Sequence, residues 1–240
     1  MKGIILAGGT GSRLYPLTSV TNKHLLPVGK LPMILHSINK LVESDIDDIM
    51  IITGTEHMGD MINLLGSGKK YNCQLTYRVQ DEANGIAGAL KLCKNFVGEE
   101  DLIVLLGDNI FYDSLESCIE KFNNFKENHN SLCLLNLKEV KDPERYGVAE
   151  IEKDKIIRIV EKPKKPKSSY CVTGIYIYTS DVFEKISSIK MSNRKEYEIT
   201  DVNMSYVSEN KCIFSFFNNW WTDAGTHESY LQANLLCNSL

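Results

Sequence analysis

The sequence predicts an α/β fold: a mixed, mainly parallel sheet flanked by helices, with a β-rich insertion in the second half. Three observations carry that expectation. Through the first half, short uninterrupted apolar runs alternate with stretches of helical period. Strands that are apolar on both faces belong to sheets covered on both sides, which are mostly parallel. From about Ser131 the rhythm changes, and strand-like segments follow one another across polar turns. Finally, 240 residues of which 43% are hydrophobic can bury a full core, which excludes disorder.

The elements follow in order. Gly3 to Ala7 reads as a first buried strand. Between Pro32 and Glu43, Met33, Ile34, Ile38, Leu41 and Val42 recur at helical spacing. Asp48 to Thr53 is a second strand, residues 57–65 a helix and Gln74 to Val79 a third strand. Asn84 to Asn95 is expected to be one helix, with small residues along one side, and Leu102 to Leu106 a fourth strand. Strands are then expected over 132–139, 147–152, 155–160 and 171–178, and helices over 181–188 and 198–209. A strand over 213–217 and a last helix from about Thr226 complete the chain. The two prolines between Lys162 and Lys167 make that lysine-rich stretch a surface turn. No repeat or linker breaks the chain, so residues 1–240 are read as one domain with halves of about 1–130 and 131–240.

Composition excludes several function classes. The net charge is -4 and no basic stripe marks a nucleic-acid surface, so positive charge at any phosphate site must be local. The seven cysteines are scattered without a C-x-x-C pair, as expected of free thiols in a reducing compartment. No stretch approaches the ~20 apolar residues of a membrane span, and the apolar start is too short for a signal peptide. A cytoplasmic protein is expected.

The strongest local signal follows the first strand: Gly8-Gly9-Thr10-Gly11-Ser12-Arg13-Leu14. A glycine-rich loop leaving a buried strand lets backbone N–H groups approach a phosphate, and Arg13 adds a charge. A Walker A string occurs nowhere in the chain. A dinucleotide fingerprint fails too: Leu14 stands at the third glycine position, and the first acid is Glu43, well beyond the expected ~20-residue spacing. Further on comes Asn22-Lys23-His24-Leu25-Leu26-Pro27-Val28, where Lys23 is either an ordinary surface lysine or a second cation for a polyphosphate.

Asp108, in Leu106-Gly107-Asp108-Asn109, follows a strand, where open α/β sheets bind ligands. It is a turn or cap residue, or a metal ligand. A second carboxylate is on offer in Asp223, within Trp220-Trp221-Thr222-Asp223-Ala224-Gly225-Thr226, and Mg²⁺ needs few carboxylates. Gln80, ending a strand, has an amide able to pair with a pyrimidine edge; by itself it reads first as an exposed polar residue.

Together, GGTGSRL and NKHLLPV resemble the signature of the sugar nucleotidyltransferases, most closely the glucose-1-phosphate thymidylyltransferases. The resemblance runs from Gly3 to about Leu236. It implies a Rossmann-like, nucleotide-diphospho-sugar transferase fold, with a nucleotide-binding first half and a sugar-phosphate-binding second half. The implied reaction is thymidylyl transfer from dTTP to α-D-glucose 1-phosphate, giving dTDP-glucose and pyrophosphate on the way to dTDP-deoxysugars. UTP or another sugar phosphate is the nearest alternative. A non-catalytic nucleotide-sugar sensor is the alternative from a different class; its mark would be loss of Arg13, Lys23 or Asp108, and all three are present.

By the same resemblance, Gly8, Gly9, Thr10, Gly11 and Ser12 cradle the triphosphate and Arg13 and Lys23 bracket it. Gln80 and Gly85 read the base, and Asp108 and Asp223 hold Mg²⁺. Asn109, Tyr146, Gly147, Glu161, Val172 and Arg194 surround the sugar phosphate, with Lys162 as a point charge on its phosphate. Arg13, Lys23, Asp108 and Lys162 form the catalytic set. The family commonly carries Gln at the position of His24 and Gly at that of Lys195. It forms homo-oligomers, so a tetramer or dimer is expected. Longer members continue past the position of Leu240 through helices that help build a second nucleotide site, so the resemblance covers the catalytic region alone.

Overall fold

The computed structural model describes residues 1–238. In chain order, β1 (Lys2–Ala7), β2 (Pro27–Val28), β3 (Leu31–Pro32), α1 (Met33–Val42), β4 (Asp48–Gly54), α2 (Met58–Leu65) and β5 (Gln74–Gln80) come first. Then follow α3 (Ile86–Lys91), α4 (Lys94–Val97), β6 (Leu102–Leu106), β7 (Asn109–Phe111), α5 (Glu116–Lys126), β8 (Cys133–Glu139), β9 (Gly147–Glu152) and β10 (Lys155–Glu161). The rest is β11 (Tyr170–Tyr178), α6 (Val182–Ser188), α7 (Ile199–Ser208), β12 (Cys212–Phe216), β13 (Trp221–Asp223) and α8 (His227–Asn238). The chain forms two compact units. Met1–Ala83, Val104–Leu115 and Asn219–Leu240 make the first; Asn84–Ile103 and Glu116–Asn218 make the second.

In the first unit β4 lies between β1 and β5, parallel to both, with Ile5 opposite Ile51 and Gly54 opposite Gln80. Ile4, Ile5, Ile49, Ile51 and Ile52 are fully buried, as strands covered on both faces require. Helix α1 buries Ile34, Ile38 and Leu41 and packs against β1. A two-stranded antiparallel ribbon, β7 with β13, sets Asp223 opposite Asn109. Thr226 and Ser229 exchange backbone and hydroxyl hydrogen bonds of 3.1 and 3.2 Å, a reciprocal cap that starts α8.

In the second unit β10, β9, β11 and β8 run antiparallel in that order, and β12 adds to β8 in parallel. Helix α7 packs on β10 and buries Tyr206 beside Tyr178, whose hydroxyl donates to Asn203 at 2.6 Å. The fold class is the expected one: a mixed, mainly parallel sheet flanked by helices, with β-rich second-half structure. Among the described residues no helix is long and apolar enough to cross a membrane.

The helix expected over 84–95 is two short helices. The amides of Leu92 and Cys93 reach back to Ala89 and Leu90, three residues away, which tightens the backbone out of the α-helical ladder. Gly85, at φ 94°, delays its start. The ribbon β7–β13 and helix α5 go beyond the expected elements.

Candidate active site

The first unit gathers its chemistry at the exit of β1. Gly11 turns the loop with φ 67°, and a Cβ there would meet Thr18 at 2.8 Å and Lys23 at 3.0 Å. The loop therefore lies against the Lys23 stem because it has no side chains in the way. The Lys23 ammonium is 3.3 Å from where a Cβ of Gly9 would stand. Asn22 fixes this approach. Its Oδ1 accepts from the His24 amide at 2.9 Å and from His24 Nδ1 at 2.7 Å, and its Nδ2 donates to Ala7 O at 3.4 Å. His24 is buried, and burial followed by the nearby Lys23 charge lowers its pKa to about 3, so its ring is neutral. That ring packs beside Gly107, where a Cβ would lie 2.8 Å from it. His24 thus braces the turn before Asp108.

The Lys23 ammonium donates to Asp108 Oδ2 at 2.5 Å, and Asn109 Nδ2 donates to Asp108 Oδ1 at 3.0 Å. Trp221 Nε1 donates to Asn109 Oδ1 at 2.8 Å, and the Ala224 amide donates to Asp108 O at 2.8 Å. The ribbon thereby locks Asp108 beside Asp223, whose Oδ1 accepts from the Gly225 amide at 2.8 Å. Gly225 marks where the groups converge. A Cβ there would lie 2.6 Å from Asp223 Oδ1, 2.9 Å from an Arg13 guanidinium nitrogen and 3.5 Å from Asp108 Oδ2. Arg13 itself is exposed.

The two carboxylates are electrostatically unlike. Burial works to raise Asp108, but the Lys23 ammonium overrides it and holds the group well below the usual carboxylate range. Burial, and then the Asp108 charge, push Asp223 up. A buried and a half-buried carboxylate, the second of which resists ionising, are the donor set a divalent cation satisfies. Among the described residues no three His, Cys, Asp or Glu side chains converge into a protein-only metal cage. A two-carboxylate set suits Mg²⁺, which keeps places for phosphate oxygens and water.

Gln80 ends β5 with its Oε1 3.0 Å from where a Cβ of Gly8 would stand, so base-edge and loop candidates adjoin. Thr10 and Ser12 are exposed on the loop. Gly85 belongs to the second unit, where a Cβ would clash with Tyr197 O at 2.6 Å and sit 3.0 Å from Glu196 Cβ.

In the second unit, sheet register aligns Glu161, Gly147 and Val172 in one row across β10, β9 and β11. The Lys162 amide donates to Tyr146 O at 2.9 Å, with Lys162 at φ 43°, a left-handed conformation unusual for a lysine. The Lys162 ammonium stands 3.5 Å from Glu161 Oε1 and is half exposed. Thr200 Oγ1 donates to Glu161 Oε2 at 2.8 Å. Arg194 forks onto Glu198 through Nε at 3.1 Å and a terminal nitrogen at 2.7 Å, and lies 3.6 Å from Glu161. The Glu198 hydrogen bonds, acting against burial, raise the Arg194 pKa.

The structure therefore joins Arg13, Lys23, Asp108, Asn109 and Asp223 in one unit, and Tyr146, Gly147, Glu161, Lys162, Val172 and Arg194 in the other. Sequence reasoning missed Asn22, Trp221, Thr200 and Glu198 as supports. Glu198 carries a local signal, four residues from Arg194, and Asn22 another, next to Lys23.

Comparison with known proteins gives the family. The nucleotidyl transferase family model matches residues 2–239. A glucose-1-phosphate thymidylyltransferase from Neisseria meningitidis is 38% identical over 97% of this chain and 81% of its own. A low-salt glycan biosynthesis nucleotidyltransferase from Haloferax volcanii is 35% identical over 98% of this chain, which spans 66% of that protein. A provisionally assigned glucose-1-phosphate thymidylyltransferase from Bacillus anthracis, crystallised with sucrose, superposes with TM-score 0.94 at 56% identity, covering 100% of this chain and 96% of its own. With the loop, cations and carboxylates assembled as above, the chain belongs to the nucleotidyl transferase family and is a nucleotidyltransferase.

Proposed function

We propose that the chain transfers a thymidylyl group from dTTP to glucose 1-phosphate, giving dTDP-glucose and pyrophosphate. The observation that carries this reading is the convergence of Arg13, Asp108 and Asp223 at Gly225, with Lys23 bound to Asp108 beneath the glycine loop. The likeness to glucose-1-phosphate thymidylyltransferases supports the choice of substrates.

An oxygen of the sugar phosphate attacks the α-phosphorus in line. The new P–O bond forms as the bond to the β-phosphate breaks, and pyrophosphate carries away the electron pair. The nucleophile is already an anion, so no general base is required. The obstacle is repulsion between phosphates, which fixed charges and alignment offset. Loop N–H groups and Arg13 bind the triphosphate, and Lys23 holds its charge beside the α-phosphate. Asp108 and Asp223 would hold Mg²⁺, which when bound supplies further charge neutralisation on the phosphates. In the second unit, Glu161 accepts sugar hydroxyls, Lys162 neutralises the sugar phosphate, and Arg194 joins it by sharing its fork with Glu198. Asn109 acts on this reading by orienting Asp108.

The test is pyrophosphate release by purified protein with Mg²⁺ and each of dTTP, UTP, CTP, ATP and GTP, with and without glucose 1-phosphate. Release dependent on dTTP and glucose 1-phosphate together is expected. Faster release with UTP would move the specificity, and silence with every pair would overturn the reading.

A further inference from the structure

The second unit carries a cavity of about 420 Å³ that the proposed chemistry does not use. It lies at the far end of β10 from Glu161: Lys155 lines the cavity and Glu161 ends the strand, about 20 Å of extended chain away. Its volume falls in the usual range for small-molecule sites.

The lining is of two kinds. Ile156, Val207 and Phe214 make an apolar floor, while Lys121, Lys153 and Lys155 face it with Asp154 as the one acid among its lining residues. In a chain of net charge -4 this local excess of cations runs against the average surface. Lys121 is fixed in place: its ammonium donates to Phe214 O at 2.7 Å and stands 5.4 Å from the centre of that ring. Lys153 and Asp154 form the two-residue turn between β9 and β10, at φ 46° and 62°, closed by the pair Glu152 and Lys155. Such a turn favours Asn-Gly. A lysine there forgoes the relaxed choice and brings an ammonium to the cavity.

We propose that this cavity binds a small amphipathic anion, with an aromatic or aliphatic body on Phe214 and Ile156 and its anionic group between Lys153 and Lys155. Burial of the body supplies affinity, and the paired ammonium groups select the charge. The proposal is independent of the nucleotide chemistry.

The cysteines give a local readout. Cys212 lines this cavity and Cys237 lines a different one in the first unit; both are partly exposed, and the other five are buried. The test probe is 8-anilinonaphthalene-1-sulfonate, added during limited iodoacetamide labelling read by mass spectrometry. The dye is expected to slow labelling of Cys212 and leave Cys237 unchanged. In Lys153→Glu/Lys155→Glu, which alters only exposed side chains, this protection should be lost. A fluorescence titration of both chains reads affinity separately, with binding about fivefold weaker expected in the variant. The uncharged N-phenyl-1-naphthylamine should bind both chains alike. Protection of Cys237 instead, or equal dye affinity in the two chains, would overturn the proposal.

Discussion

Lys23 and Asp108, 85 residues apart in sequence, meet through a 2.5 Å contact between the Lys23 ammonium and Asp108 Oδ2, with side-chain exposures of only 11% and 13%. One residue comes from the turn after the glycine loop and the other from the end of β6. Their pairing therefore ties the phosphate-loop candidate to the metal-ligand candidate within the first unit.

Removing one partner should cost more than removing both. Lys23→Met leaves Asp108 buried without its cation, which should destabilise the chain by about 3 kcal/mol. At this chain length that lowers Tm by about 6–12 °C. Lys23→Met/Asp108→Asn should recover more than half of the loss. The wild-type pair should also weaken in acid. Asp108 has a depressed pKa, so its contribution is complete above the ordinary carboxylate value of 3.8 and is lost as pH falls through the folded-state value. Thermal melts of the wild type, Lys23→Met, Asp108→Asn and the double variant from pH 7 down to about pH 2 check both statements; a double variant as unstable as the sum of its parts would contradict the first, and a wild-type advantage undiminished below pH 3.8 the second.

Asp223 should behave with the opposite sign. Its pKa is raised, so its folded-state cost is absent in acid, where it is protonated in both states, and grows as pH rises through the folded value. Asp223→Asn should therefore raise Tm of the metal-free chain at pH 7 and leave it unchanged near pH 3. Added Mg²⁺ should raise Tm of the unsubstituted chain and fail to do so in the variant. Differential scanning fluorimetry reads all of these, and a variant destabilised at pH 7 would show that Asp223 is not strained by its neighbour.

Gly225→Ala should separate folding from activity. Gly225 has no left-handed φ, so its backbone accepts alanine. The new methyl group would stand 2.6 Å from Asp223 Oδ1 and 2.9 Å from Arg13. Displacing reacting groups by an ångström can cost about 10²-fold in rate, and such a loss is expected here with a native circular dichroism spectrum. Retention of more than half the activity would mean the convergence at Gly225 is unimportant.

Glu161→Gln should act on the sugar phosphate alone. A charged acceptor contributes about 1.5–3 kcal/mol to its hydrogen bonds, so kcat/KM for glucose 1-phosphate should fall by about 10-fold to 100-fold while KM for dTTP holds. Equal changes in both would place Glu161 in general support of the fold.

The legible part of the molecule is the local part. Strand β1, its glycine loop and Arg13 announce themselves because an apolar run, a change in backbone freedom and a charge fall within a dozen residues. The ribbon β7–β13 does not, because each strand is three residues long and the partners, such as Trp221 and Asn109, lie 112 residues apart. No period can show in three residues, yet this ribbon is what brings Asp223 to Asp108. In the sequence Asp223 is one more carboxylate before a glycine, and only the family resemblance pairs it with Asp108. Glu161, Gly147 and Val172 share a row only through register. Thr200 reaches Glu161 from a helix 39 residues onward. His24 was readable as a departure from the family's Gln; its bracing contacts with Asn22 and Gly107 became visible only in three dimensions.

The role of Asp108 is decided by the turnover of Asp108→Asn at saturating Mg²⁺, dTTP and glucose 1-phosphate, followed by pyrophosphate release. Asparagine keeps the size of the side chain and removes the charge that pairs with Lys23 and would hold the metal. A loss of at least about 10²-fold in kcat is expected, with the fold retained by circular dichroism. Near-normal turnover would contradict the assignment of Asp108 and, with it, the metal role proposed for this site.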